Sequence, residues 1–463
     1  IFQLEGSGMR RYFKELKPTI FEDIAVMIAL YRPGPIELIP EFIARKHGKK
    51  RIEYLHPKLE PVLASTYGIM IYQEQLMAAA RALAGFSLPE ADILRKAVGK
   101  KIKRLLADQK DKLIQGCKAN GISESVAEKF WQLIEPFDRY GFNKSHAISY
   151  ARVAYQTAYL KAHYPVEFMA ALMNSASNEI ERIAFLIEEC QSMGTEVLPP
   201  EINESMENFA VINSADKPKI RFGLAAIKNV GVNIVQAIIE ERKSSGPFKD
   251  VENFVSRVQN KDLNKKSLES LVKCGALDIF GERAALLANI EQLLYYSRES
   301  QKARTTGQVS LFGGPNSTVT LPPLRLVETA SATRAEKLMW EKELLGLFIS
   351  DHPLRDYQQK LDFEKGLVKI KDLPVNRSNI QVKIGGIVTK IQKVLTKTGK
   401  PMIFSWVEDT SAKIEVVAFP NILEANPEAF KENNVLVIRG KLNDRDGIPK
   451  LMCDEVRAIA TVS

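Results

Sequence analysis

Near Ser378 the spacing of apolar residues changes from helical to strand-like, and no single packed layer can serve both halves of the chain. Before that point apolar positions recur at helical intervals in long segments divided by Pro, Gly and polar breaks. Beyond it they alternate with polar ones in QVKIGGIVTKIQKVLT, MIFSWVED, AKIEVVAF, NVLVIRGKL and PKLMCDEVRAI, with a short helical stretch, ILEANPEAFKE, between the third and fourth. Successive side chains on a strand point to opposite faces, so a period of two marks half-buried strands, whereas a period near 3.6 marks a helix with one buried stripe. The chain therefore reads as multidomain, mainly α-helical first and all-β last. Its 463 residues allow about three domains, each with a core of its own.

Three strands, a helix and two strands is the order of an OB-fold barrel, here over residues 378–463. Gly385 and Gly386 are expected to supply the bulge that curls the first strand. OB barrels commonly bind single strands through aromatics and cations. Phe404 and Trp406 share one strand face; Phe404 is expected inside the barrel, and Trp406 suits either side.

Upstream, the segment from Tyr140 to Tyr164 opens with YGFNKSH. Asn143, Lys144, Ser145 and His146 bring an amide, an ammonium, a hydroxyl and an imidazole to the start of a long helix closed by Pro165. Ser145 or Asn143 caps that helix, and its first backbone N–H groups are expected to face outward. Orphan donors, macrodipole and neighbouring cations together attract phosphate. A second cationic stretch, LRKAVGKKIKRLLADQK, supplies Arg95, Lys96, Lys100, Lys101, Lys103 and Arg104. Helical spacing cannot put all of these on one face, so some are solvated surface. Ala147, Ala151, Ala154 and Ala158 form a small-residue stripe suited to close packing, which assigns Tyr155 and Tyr159 to core or rim in preference to base stacking. Arg32 in ALYRPGP is held at a proline-stiffened corner. Gln73, Glu74 and Gln75 in YGIMIYQEQ suit either a polar helix surface or the lining of a ligand path.

From Ile220 the texture changes. Asn229, Val230 and Gly231 in RFGLAAIKNVGVNIVQAIIEERKSSGPF fit a helix-hairpin-helix, a tight turn that brings backbone N–H groups against a phosphate. Asn229 stands where glycine is common and tolerates left-handed dihedrals better than most residues. A second unit is expected around SLESLVKCGALDIFGERAALL, with Cys274 and Gly275 in the hairpin, Lys273 just before them and Arg283 beyond it. Such a hairpin serves either DNA backbone or protein packing. Residues 295–334 have a Ser-, Thr-, Gly- and Pro-rich linker composition. Within them Gln308, Leu311 and Phe312 of GQVSLFGG form an apolar island that marks an interaction site, or else tucks in near Trp340.

The formal net charge of +9 and a pI near 9.1 point to an anionic partner, either nucleic acid or an acidic protein. Cys117, Cys190, Cys274 and Cys453 lie far apart with no CxxC pair, so neither a zinc site nor a disulfide framework is indicated, and a reduced cytoplasmic setting is expected. The absence of a long apolar run argues against a membrane partner. The sequence starts without Met and reads as a piece of something longer.

Four motifs, ALYRPGP, YGIMIYQEQ, LRKAVGKK and YGFNKSH, stand in the order of the C-family replicative polymerases, and the chain resembles the bacterial DNA polymerase III alpha subunit from the end of its palm onward. The resemblance implies a fingers domain over 1–213, a helix-hairpin-helix DNA-binding domain over 214–294, a linker over 295–334 and a connecting segment over 335–377 before the OB-fold. It implies that Arg95, Lys96, Lys100, Lys101, Asn143, Lys144 and His146 hold an incoming dNTP, and that Asn229, Val230, Gly231, Lys273 and Gly275 bind duplex DNA. Gln308, Leu311 and Phe312 resemble a peptide that docks on the sliding clamp. The parent enzyme is then a DNA-directed DNA polymerase that copies DNA with the other replicase subunits. Its Mg2+ ions are bound by palm carboxylates of the form PDxDxD. No such stretch occurs here, so the chain is expected to be inactive alone. A non-catalytic DNA-binding adaptor built of hairpin and OB modules is the competing reading.

Overall fold

The structure is a computed structural model that describes residues 1–100, 103–138, 141–177, 179–213, 217–306, 324–374, 379–396, 399–443 and 449–459. These divide into two compact units, with the boundary between Ala162 and His163.

The first unit is helical: α1 (Ser7–Leu16), α2 (Phe21–Leu30), α3 (Ile39–Lys46), α4 (Glu60–Leu63), α5 (Gln73–Ala84), α6 (Leu88–Lys100), α7 (Lys103–Ala119), α8 (Glu124–Ile134) and α9 (Lys144–His163). Ala25 to Leu30 of α2 are all buried and pack with Phe42, Ile71 and the Ala147/Ala151 stripe of α9. A second core joins α5 to α8 through Leu76, Leu83, Leu94, Leu113 and Phe130. Asp23, buried in α2, accepts the Thr19 and Ile20 N–H groups and pairs with Lys46 at 2.8 Å, so its charge is compensated where it is desolvated.

The second unit begins with α10 (Pro165–Ser175) and α11 (Ile180–Ser192), followed by a small sheet of β1 (Val197–Leu198), β2 (Ala210–Ile212) and β3 (Lys219–Arg221) in the order β1-β3-β2. Then come α12 (Val232–Ser245), α13 (Val251–Arg257), α14 (Lys265–Lys273), α15 (Arg283–Ala288), α16 (Ile290–Thr306), α17 (Arg334–Leu345) and α18 (Gln358–Asp362). One core runs through Met169, Ile183, Leu186, Phe222, Ile234, Phe254, Leu271 and Leu345. Residues 163–213, expected to close the first domain, thus pack with the hairpins instead. Within that stretch Asn174 ties α10 to the small sheet, at the residue before β2, by exchanging two hydrogen bonds with Phe209, at 2.8 and 2.9 Å.

The described residues of the expected linker carry a helix and core contacts. Residues 295–306 continue α16, Leu324 and Leu326 pack on the core, and Asn289 brackets Val327 through both amide atoms. Composition alone hides this, because a few well-placed leucines outweigh the polar residues around them. Gln308, Leu311 and Phe312 lie outside the described residues.

The barrel is closed, in the order β4-β5-β6-β8-β7. Its strands are β4 (Gln381–Leu395), β5 (Pro401–Glu408), β6 (Lys413–Ala418), β7 (Val435–Asn443) and β8 (Lys450–Ala458), with α19 (Pro420–Ala425) between β6 and β7. This is the expected OB arrangement, with two corrections. The register shift of β4 falls between Val388 and Lys390, past the glycine pair. Gly385 and Gly386 instead admit close neighbours, since a Cβ on them would lie 2.6 Å from Leu361 and 2.6 Å from Val407 respectively. Phe404 is also not interior: Ile403, Ser405 and Val407 are buried and their alternates Phe404 and Trp406 are half-exposed on the outer face.

Candidate nucleotide and nucleic-acid interface

The candidate site residues of the first unit come from four distant stretches. The Phe142 N–H donates to the Ile71 carbonyl at 3.0 Å and the Gln73 N–H to the Phe142 carbonyl at 2.8 Å, a parallel bridge that lays YQEQ against FNKSH. On this bridge the Arg32 guanidinium sits 4.6 Å from the Phe142 ring centroid, while its Nε donates to the Ala29 carbonyl. Burial lowers the Arg32 pKa from its ordinary value. Arg95 reaches in from α6, donating to Gln73 Oε1 at 3.3 Å. The Gln73 amide in turn donates to the Gly141 carbonyl at 3.4 Å.

Asn143 caps α9. Its Oδ1 accepts the His146 N–H at 2.8 Å and the Ser145 hydroxyl at 2.9 Å. The expectation of outward-facing N–H groups needs correction at Lys144, whose N–H donates to Glu74 Oε2 at 2.9 Å while Asn143 Nδ2 donates to Glu74 Oε1 at 3.0 Å. The carboxylate takes this place because a helix start favours negative charge. Lys144 Nζ lies 5.9 Å from the Tyr72 ring. Burial first, then the charges of Glu22 and Glu74, push the Tyr72 hydroxyl up. His146 is flanked by Phe142 and Tyr150, with centroids at 5.5 and 4.2 Å.

Arg95 and Lys96 share Asp92, at 2.8 and 2.7 Å. Hydrogen bonds from Lys96 and then Arg95 hold the Asp92 carboxyl below the usual carboxylate range. Lys100 ends α6, and Lys101 lies outside the described residues. Gln73, Glu74, Asp92 and Phe142 are the members that sequence reasoning left undecided or missed. The signal available in the sequence was a polar triplet at a helix start; its proximity to the two cationic stretches is visible only in the fold. Gln75 is structural: its Oε1 accepts the Ile71 and Tyr72 N–H groups and its Nε2 donates to buried Thr66.

In the second unit Asn229 adopts a left-handed φ of 69°, as its side chain permits. Val230 is buried, while Asn229 and Gly231 are exposed at the start of α12. A Cβ on Gly231 would meet nothing within 4 Å. At the second hairpin Gly275 has φ 87°, and a Cβ there would fall 2.3 Å from Arg283 Nη2. Gly275 is thus covered by the arginine and serves packing. The Lys273 carbonyl accepts from Arg283 Nη1 at 3.0 Å, and the guanidinium also binds Asp278 and fully buried Glu341.

On the barrel, Lys390 of β4 is paired in register with Trp406 of β5, its Nζ 6.0 Å from the indole. Trp406 in turn faces Glu415 of β6. Among the described residues no group of three His, Cys, Asp or Glu is placed to hold a metal ion, and no helix is long and apolar enough to cross a membrane.

A cationic helical cluster, paired hairpins and an OB barrel in one chain define a multidomain protein of the nucleic-acid-binding class. Family models agree with that division: the bacterial DNA polymerase III alpha subunit finger domain matches residues 1–121, a helix-hairpin-helix motif residues 194–286, and an OB-fold nucleic acid binding domain residues 382–459. DNA polymerase III subunit alpha of Thermus aquaticus is 40% identical over 95% of this chain and 36% of its own length. The Borreliella burgdorferi subunit is 40% identical over 96% of the chain and 38% of its own length. The Escherichia coli K12 subunit is 36% identical over 99% of the chain and 40% of its own length. The chain is similar to one part of these DNA polymerase III alpha subunits, from the finger domain through the OB-fold, and it spans well under half of their length.

Proposed function

We propose that this chain is the nucleotide-positioning and DNA-holding part of a DNA-directed DNA polymerase that copies DNA in the cytoplasm together with other replicase subunits. One observation carries the reading: four stretches spread from Arg32 to His146 converge on the Tyr72/Phe142 bridge and surround it with cations. Arg95, Lys96, Lys100, Lys101, Asn143, Lys144 and His146 receive the triphosphate of an incoming dNTP. The chemistry requires charge neutralisation along three phosphates, which side chains on two helix ends supply without covalent participation. In the parent enzyme, palm carboxylates that this sequence does not contain would hold Mg2+, which would supply activation of the primer hydroxyl and stabilisation of the leaving phosphate.

The first hairpin holds duplex DNA through the backbone of Asn229, Val230 and Gly231, with Lys273 a cation at the second. The fold gives no steric reason for glycine at 231, and close approach of a phosphate is a physical reason. The barrel face around Trp406 holds single-stranded template by stacking and charge. Gln308, Leu311 and Phe312 tether the enzyme to a sliding clamp, which a binding assay on a peptide spanning Thr305 to Pro315 checks directly. Loss of binding after Leu311→Ala and Phe312→Ala is expected.

The nucleotide reading is tested in the complete polymerase with Lys144→Ala and Arg95→Ala. Each is expected to weaken dNTP binding about tenfold, which corresponds to roughly 1.4 kcal/mol, while DNA affinity stays nearly constant. Loss of DNA binding with unchanged dNTP affinity would reassign both residues to the nucleic-acid backbone.

A further inference from the structure

The barrel face around Trp406 has carboxylates of a neighbouring helix within reach of its lysines. Helix α11 lies beside it, and a groove of about 740 Å³ runs between α11, the segment after α17 and the barrel. Glu181 and Glu188, seven residues apart and so on the same side of α11, reach across to two lysines of the barrel. Glu181 Oε2 is 3.6 Å from Lys390 Nζ, and Glu188 Oε1 is 3.5 Å from Lys413 Nζ. These lysines flank the partly exposed Trp406. Lys390 is the cross-strand partner of Trp406, and Lys413 pairs with Glu408, two residues further along β5. Between the two glutamates Phe185 lines the groove with its ring half-exposed. A carboxylate and a phosphate are alternative partners for one ammonium, so both cannot be held at full strength.

We propose that Glu181 and Glu188 set the affinity of the barrel for single strands, by occupying the two lysines that strand phosphates would otherwise take. The proposal rests on the reading of the Trp406 face as a single-strand site. Neither pair is strong enough to exclude a strand: both are at least partly solvent-exposed, and exposed ion pairs contribute little. Glu188 is the costlier to keep charged, since burial raises its pKa and only Lys413 opposes this. The face therefore binds weakly until phosphates displace the two carboxylates from the lysines, with α11 held in place by its buried Ile183 and Leu186, and the glutamates re-pair when the strand leaves.

The test is a fluorescence anisotropy titration of the intact 463-residue chain with a labelled oligo(dT), repeated across salt concentrations. Glu181→Gln with Glu188→Gln should tighten binding several-fold and steepen the log–log salt dependence by about 0.7 for each lysine released. That gain should vanish when Lys390→Gln and Lys413→Gln are added. A control pair remote from the barrel in sequence, Glu53→Gln with Glu128→Gln, changes net charge equally and should show a smaller gain that does not depend on the two lysines. If the α11 variant gains no more than the control, or keeps its gain without the lysines, the proposal is overturned. Trp406→Ala separates the two readings. If it leaves single-strand binding unchanged, the barrel reading falls and this proposal with it; if it weakens binding while the α11 variant gains nothing, only this proposal falls.

Discussion

The two hairpins of the second unit look alike in sequence and differ in what their glycines do. At the first, Gly231 is exposed with open space where a side chain would go; at the second, Gly275 is buried with the Arg283 guanidinium in that space. The arginine is only 5% exposed, and it donates to Asp278, to the Lys273 carbonyl and to Glu341 of α17. Glu341 also accepts the Ile349 and Ser350 N–H groups, which fixes the chain leaving α17. One hairpin is thus open toward solvent and the other is a joint within the protein. A glycine in a hairpin motif does not by itself announce a phosphate contact.

The largest effect that probes this difference is expected from Glu341→Ala. It strands a buried guanidinium with a half-exposed partner and leaves two N–H groups unpaired, and breaking a buried pair in this way costs about 3–5 kcal/mol. Denaturant unfolding followed by tryptophan fluorescence, with Trp340 adjacent, measures it; a loss under about 1 kcal/mol would mean that the second hairpin is not a joint. Next comes Gly275→Val, where positive φ and overlap with Arg283 combine to destabilise by about 1–3 kcal/mol or more. Gly231→Val should leave stability within about 0.5 kcal/mol yet weaken duplex binding several-fold in an anisotropy titration. Equal stability losses at the two glycines would erase the distinction.

The effect that is smallest at neutral pH, and grows only on the alkaline side, is the titration of a thiol. Burial pushes the Cys274 thiol, next to Gly275, up to about 12. A thiol whose folded pKa is raised stabilises the native state fully below its unfolded value of about 8.5. That contribution is lost as pH rises from there toward the folded value, because the unfolded chain releases the proton first. Cys274→Ala should flatten the alkaline limb of a stability-versus-pH curve, and alkylation of Cys274 in the wild type should wait for opening of the second hairpin.

Much of this was legible in the residues. The switch of period near 378, the turn at Asn229 and the buried FEDIAVMIALY helix are local patterns, and local patterns survive into the fold because dihedral preferences and amphipathic spacing act within a few residues. Phe404 was misjudged because alternation states which residues share a face but not which face is inside. The linker was misjudged because Leu324 and Leu326 find their partners far away in sequence.

By itself, then, the sequence determined the modules and their order: helices with a capped cationic start at Asn143, paired hairpins, and a five-strand barrel with its single helix in the expected place. Only the tertiary structure decided which charges are spent and which are held out to solvent. It gave Arg283 to Glu341, set Glu74 on the α9 N-terminus and brought Glu181 to Lys390. The physical reason is that the strength of a charge pair depends on distance and on exclusion of water. Both are fixed by packing between segments far apart in the chain, and composition and spacing carry no record of them.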